Sequence, residues 1–299
     1  MSLADASLPP HLIEVKQALE AMGSSPETLA GTLGDIDENV ASHSRIVEWR
    51  SRIESHLQSK GTPLTSGALE RLLLATAAQA SDARIDALPV SASVKRLIRD
   101  EFASWLKPGR TGPDAGTGTF SSAAKIATLR RFPAGPMDWE MAGVPRSWLA
   151  KVPRRDLPGI LACIAQMGGF RPLLHMHVGS RPRNRSLVIE KEVLRSYYRM
   201  VRSMELQPSV RGVMGVAWFY DPRAVEQNPH LAFLNAPFRE PGGFITDIGE
   251  APLDSGFAEH NPGRGDLYKS GKLQYRLGLA LLPRGSAIEW ARSRPDLDS

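Results

Sequence analysis

The chain of 299 residues has one cysteine, Cys163. A lone cysteine excludes an internal disulfide framework and a cysteine-rich zinc site. Long apolar runs are also missing. No window holds eighteen apolar residues in a row, and the start Met1-Ser2-Leu3-Ala4-Asp5 has neither a basic segment nor an apolar core. A soluble, non-exported, cytoplasmic protein with no membrane partner is therefore expected. Several signatures are absent too. There is no Gly-x-Ser-x-Gly elbow, no phosphate-binding Gly-x-x-x-x-Gly-Lys-Ser/Thr and no dinucleotide fingerprint. The Gly-x-Gly at Gly116-Thr117-Gly118 follows no apolar strand and precedes no Gly-Lys-Ser/Thr, so it does not supply one. No cofactor can be named on this basis.

What is present is uneven in charge. Residues 1–124 carry 12 Lys and Arg against 15 Asp and Glu, and residues 125–299 carry 25 against 17. In the second part 20 of the 25 basic residues are arginine, whose planar fork suits carboxylate and phosphate. A small anionic molecule is the expected ligand. The basic residues are scattered without a dense run, which argues against nucleic acid.

The first hundred residues read as helices. Pro10–Met22 has helical spacing, and Ser25-Pro26 is a cap followed by an N-terminal proline. Ile36, Val40, Ile46, Val47, Ile53 and Leu57 recur at helical intervals up to Lys60-Gly61. Another helix starts at Thr65-Ser66, and one more at Ser91 or Ser93, with Val94, Leu97, Ile98, Phe102 and Leu106 on one face. The Gly/Pro/Thr-rich stretch 107–124 breaks the pattern and reads as a linker.

Beyond it the character changes. Residues 132–140 are rich in proline and aromatics without a clear period. A short helix is expected over Leu157–Met167. Strands and helices then alternate. Strands are predicted at Leu173–Val178, Val213–Tyr220, Gly243–Ile248 and Tyr275–Leu282. Helices are predicted at Leu187–Met204, Pro222–Leu234, Phe257–Ser270 and Ser286–Arg292. The expected fold is α+β overall. An all-helical N-terminal domain (1–106), open to a protein partner, is followed by the linker (107–124). An α/β layered C-terminal domain (125–299) then has a parallel or mixed sheet of four or more strands.

The stretch Arg211–Pro222 is the central strand of this reading. Asp221-Pro222 stops it, with Asp221 as cap and Pro222 in the first turn of the next helix. Ligands collect at the carboxyl ends of strands in open α/β sheets, so Trp218, Tyr220 and Asp221 are candidates. His175-Met176-His177 is the sharpest local pattern. Two residues apart on a strand face the same side, so both imidazoles can serve one site. They could bind a metal if Glu190, Asp221, Asp247 or His260 completed the set. Arg181, Arg183 and Arg185 follow that strand and could hold an anion. Asp247 with His260 is a conceivable acid/base pair. Cys163, on an apolar helix face, reads as a packed residue.

Asp266-Leu267-Tyr268-Lys269-Ser270-Gly271, followed by a predicted strand, is similar to the tail of GCN5-related N-acyltransferases, where a tyrosine-bearing helix precedes the last strands. That family's pyrophosphate loop, Arg/Gln-x-x-Gly-x-Gly/Ala, does not follow the central strand here, where Trp218–Pro222 stands instead. The string alone assigns no family.

The leading functional expectation is a soluble enzyme acting on a small anionic substrate, a group transferase, with acyl transfer as one form. His175, His177, Asp221 and Asp247 would be catalytic. Arg181, Arg183, Arg185, Trp218 and Tyr220 would bind substrate. Two alternatives stand beside it: a metal-dependent enzyme using the His-x-His pair, and a non-catalytic interaction module.

Overall fold

The computed structural model describes residues 8–35, 40–107, 112–113, 118–178, 189–250, 270 and 276–298. The chain forms two compact units. Of the described residues, those from 8 to 133 make one and those from 134 to 298 the other.

The first unit is helical. It contains α1 (Pro10–Ala21), α2 (Pro26–Ala30), α3 (Val40–Ser59), α4 (Ala68–Asp82), α5 (Ala92–Trp105) and α6 (Gly118–Ala127). The caps read from the sequence are made. Ser25 Oγ accepts from the Thr28 amide at 3.2 Å, and Ser91 Oγ accepts from that of Val94 at 3.4 Å. The helical unit runs past the Gly/Pro/Thr-rich stretch, because α6 and the strand after it belong to it.

α4 is the core of this unit, with Leu69, Leu72, Leu73 and Leu74 almost wholly buried. Two charged residues are buried beside them, Glu70 and Arg71. A buried guanidinium must have its N–H groups met. Arg71 donates to the backbone carbonyls of Trp105 and Lys107, and its third nitrogen lies 3.0 Å from His11 Nε2. Burial, and then the charge of Arg71, lower the His11 pKa. Arg71 therefore ties the carboxyl end of α5 to α1 through α4.

The second unit is built on a mixed sheet in an α+β arrangement. Its strands are β2 (Met137–Ala142), β3 (Leu173–Val178), β4 (Gly212–Ala217), β5 (Phe244–Glu250) and β6 (Arg276–Pro283), in the order β2-β3-β4-β6-β5, while β1 (Arg131–Pro133) belongs to the first unit. β3 and β4 pair in parallel. β2 with β3, β4 with β6 and β6 with β5 pair antiparallel.

The helices that follow are α7 (Arg146–Leu149), α8 (Leu157–Gln166), α9 (Glu190–Glu205), α10 (Pro222–Gln227) and α11 (Arg284–Arg292). α8 covers one face, packing Ile160, Cys163, Ile164 and Met167 against Leu173, Met214, Leu279 and Leu281. The other face carries Trp139, Leu174, Met176, Val213, Ala280 and Leu282, all buried. α9 is amphipathic. Val193, Tyr197, Met200, Val201 and Met204 form its buried stripe at intervals of one, three and four. Arg284, at the start of α11, closes the end of α9. Its Nη1 donates to the carbonyls of Met204, Gln207 and Val210 at 2.8, 2.8 and 3.0 Å.

Three departures from the sequence reading have local causes. β4 ends at Ala217, and Trp218–Tyr220 is a 3-10 turn rather than strand. The chain there folds tightly over β6, and a side chain at Gly278 would overlap the Tyr220 backbone. The helix expected over Pro222–Leu234 stops at Gln227, and a 3-10 run, Pro229–Arg239, replaces the rest. Pro229 has no amide hydrogen and disfavours helical geometry at Asn228, which sits at φ −134°. β1 and β2 were not predicted. The helix expected over Phe257–Ser270 lies almost entirely outside the described residues.

Two outcomes follow from this packing. Burial pushes the Cys163 thiol up to about 11, so it stays protonated at pH 8. A disulfide reagent such as DTNB should leave native protein unlabelled over minutes and label one thiol per chain in denaturant; rapid native labelling would contradict the burial. Arg71→Met should lower unfolding free energy by about 2–4 kcal/mol, because it strands buried carbonyls. Chemical denaturation of the two proteins measures this, and equal midpoints would show that Arg71 adds nothing.

Candidate functional site at the open end of the parallel strand pair

The site starts with register. In the antiparallel pair of β2 and β3, Glu140 lies directly opposite His175, and Asp138 lies opposite His177. Directly opposite residues share a face, and residues two apart on one strand share it as well. Asp138, Glu140, His175 and His177 therefore occupy one face of the sheet. It is the face that α8 covers further along, since His175 is also the partner of Met214.

Three of these side chains converge. One ligating atom from each of Glu140, His175 and His177 lies within 4.8 Å of the others. His177 Nε2 is 3.0 Å from Glu140 Oε1, and the two imidazole rings have centroids 4.1 Å apart. His177 and Glu140 keep 24% and 17% of their side-chain surface exposed. The groups are thus partly dry but open to a ligand, which favours strong polar interactions. A carboxylate accepting the Nε2 proton of His177 leaves Nδ1 as its basic nitrogen. Such a pair can take a proton from a bound nucleophile.

The backbone beside this cluster is open. β3 and β4 pair only through Leu174–Met176 and Val213–Gly215. Both strands run on, β3 to Val178 and β4 to Ala217. Their outer edges stay paired to the end, Val178 with Met137 and Ala217 with Gly278. Only the two facing edges part. The parting lies at the carboxyl ends of the one parallel pair among the described strands, two residues from His175.

The other candidates go elsewhere. Thr246 pairs with Leu279 on the α8 face, so Asp247, next in the strand, points to the opposite face. Asp221 and Asp247 do meet, but through Arg223 (3.4 and 2.8 Å) and away from the histidines. Asp221 caps α10 by accepting from the Arg223 amide at 3.3 Å, as its position before Pro222 implied. Asp247 holds Arg276 at 2.5 Å and the Gly249 amide at 2.7 Å, beside a bulge in β5. Burial alone would push the Asp247 carboxyl up. The bonds from Arg276 and Gly249 and the charges of Arg276 and Arg223 outweigh it and hold the pKa below the usual carboxylate range.

Tyr220 is buried, with its hydroxyl 2.9 Å from that of Tyr197 and 3.9 Å from Met176 Sδ. Burial and its neighbour Tyr197 raise its pKa well above the ordinary tyrosine value. Trp218 is half-buried and meets Phe219 edge-on. Arg181, Arg183, Arg185 and His260 lie outside the described residues.

Glu140 is the residue that sequence reasoning missed. Its signal was there: Met137, Trp139 and Met141 alternate with Asp138 and Glu140, a period of two. Pro133 and Pro136 just before it drew the reading toward loop.

No protein-family model and no curated protein matches the chain. One solved structure that it resembles is an acyltransferase in complex with decanoyl-CoA and teicoplanin. The identity is 12% and the TM-score 0.36, over 72% of this chain. The match spans 66% of that protein, just under two thirds of its length. A likeness of that size carries no argument about activity.

Asp247→Asn should unfold at lower temperature than the native protein at pH 7. The advantage of the native protein should shrink as pH falls below the usual carboxylate range toward the depressed value, where the native carboxyl is also neutral. Melting curves across that range test this; a pH-independent gap would show that the charge is not the source.

Proposed function

We propose that the protein is a group transferase that moves an acyl group from an anionic thioester donor to a nucleophilic acceptor. The observation that carries this reading is the parting of β3 and β4 beside the His177–Glu140 pair. Two facing strand edges that part suit an extended, amide-bearing arm, which can pair as an added strand does. The acyl carbon at the tip of such an arm would lie near His175 and His177. The arginines at 181, 183 and 185 follow β3 within seven residues of Val178. They are suited to phosphate on the far end of the donor.

In this scheme the acceptor amine or hydroxyl attacks the thioester carbonyl. His177 takes the acceptor's proton, held in orientation by Glu140 through Nε2. The new C–N or C–O bond forms, the C–S bond breaks, and the sulfur leaves carrying that proton. His175, whose ring lies against that of His177, helps position the acceptor. Asp221 and Asp247 maintain the sheet edge rather than reacting.

Incubation with acyl-CoA donors of different chain length, followed by detection of free thiol, tests this. Thiol release above the uncatalysed rate is expected, rising when an amine acceptor is present. His177→Ala should lower kcat by about 10²–10⁴-fold with little change in donor binding, the usual worth of a positioned base. Glu140→Gln should lower it less. No release across the donor panel, together with recovery of a protein partner through the helical unit, would overturn the reading in favour of an interaction module.

A further inference from the structure

We propose that Glu140, His175 and His177 form a binding site for a divalent first-row metal ion, of which zinc is the natural probe. The three donors come from two adjacent strands locked in register, Glu140 directly across from His175. Their ligating atoms already lie within 4.8 Å of one another, and His177 Nε2 and Glu140 Oε1 are 3.0 Å apart. Ligand atoms about 2.0–2.1 Å from one tetrahedral zinc stand about 3.3–3.5 Å from each other, so the site needs small side-chain shifts and no backbone movement. Two borderline imidazole nitrogens beside one carboxylate suit zinc and its neighbours rather than calcium or magnesium, which take all-oxygen sites. Partial exposure leaves a fourth position for water or for an incoming ligand.

The consequence for the proposed transfer is regulatory, and this part rests on that reading. An ion bound through His177 and Glu140 occupies the groups that would accept the acceptor's proton. Zinc therefore inhibits turnover, and a chelator restores it. Under this proposal the site is a brake on the chemistry of the same residues.

Binding is measured on the full chain without reference to activity. Titration of metal-free protein with zinc against a colorimetric indicator should give one site per chain. Cobalt(II) in its place should develop the visible bands of four-coordinate cobalt with nitrogen and oxygen donors. His177→Ala and His175→Ala should each weaken zinc by more than about 100-fold, more than the 10–100-fold typical of losing an outer-shell partner. Glu140→Gln is nearly isosteric and should weaken zinc while the melting curve of the metal-free protein keeps its shape. His56→Ala and His230→Ala, distant in sequence from the cluster, should change nothing. Retention of tight zinc in the folded Glu140→Gln and His177→Ala proteins overturns the site, as does the absence of any stoichiometric binding. Zinc binding without transfer of any acyl group leaves the site standing and removes the transferase reading. Transfer that zinc does not affect removes the brake.

Discussion

The second unit depends on where backbone pairing stops. β3 and β4 are the inner strands of the sheet, and each is held on its outer side along its whole length. Between them the pairing ends after three residues. Antiparallel neighbours hold both strands on their outer sides while the facing edges part.

The faces of the sheet divide the work. One is packed by α9 and α11 around Tyr197, Tyr220, Phe238 and Trp290, with ring centroids 5.2, 5.8 and 6.2 Å apart in edge contacts. The other is packed by α8 at β5 and β6 and carries the polar cluster at β2 and β3. The histidines thus have a firm backing, since Met176, between them in sequence, faces the aromatic layer and meets the Tyr220 hydroxyl. Asp221 and Asp247 lie at the far edge with Arg223 and Arg276, and at Asp247 paired charge and hydrogen bonds outweigh the cost of burial.

Much of this was legible in advance because it is local. The helix caps at Ser25 and Ser91, the strand Leu173–Val178 and the strand–cap–helix order at Asp221-Pro222 follow from side-chain type and short spacing. His-x-His on one strand face was legible for the same reason. What escaped was long-range. The carboxylate that joins the histidines, Glu140, lies 37 residues before His177 in the chain and meets them through register alone. Asp221 and Asp247 lie apart from the histidines for the complementary reason. All lie on strands or at strand ends, but a step of one residue sends a side chain to the other face, and spacing between separate strands does not reveal parity.

Parity also sets how the β2 strand can change. Substitution at Asp138 or Glu140 alters one side chain and leaves the ladder whole. Insertion or loss of a single residue within Met137–Ala142 is a different kind of event. It would turn Trp139 outward and drive Glu140 into the apolar layer beneath α9. Core and site are written in alternate letters of the same strand, so this segment is free to vary in composition and closed to variation in length.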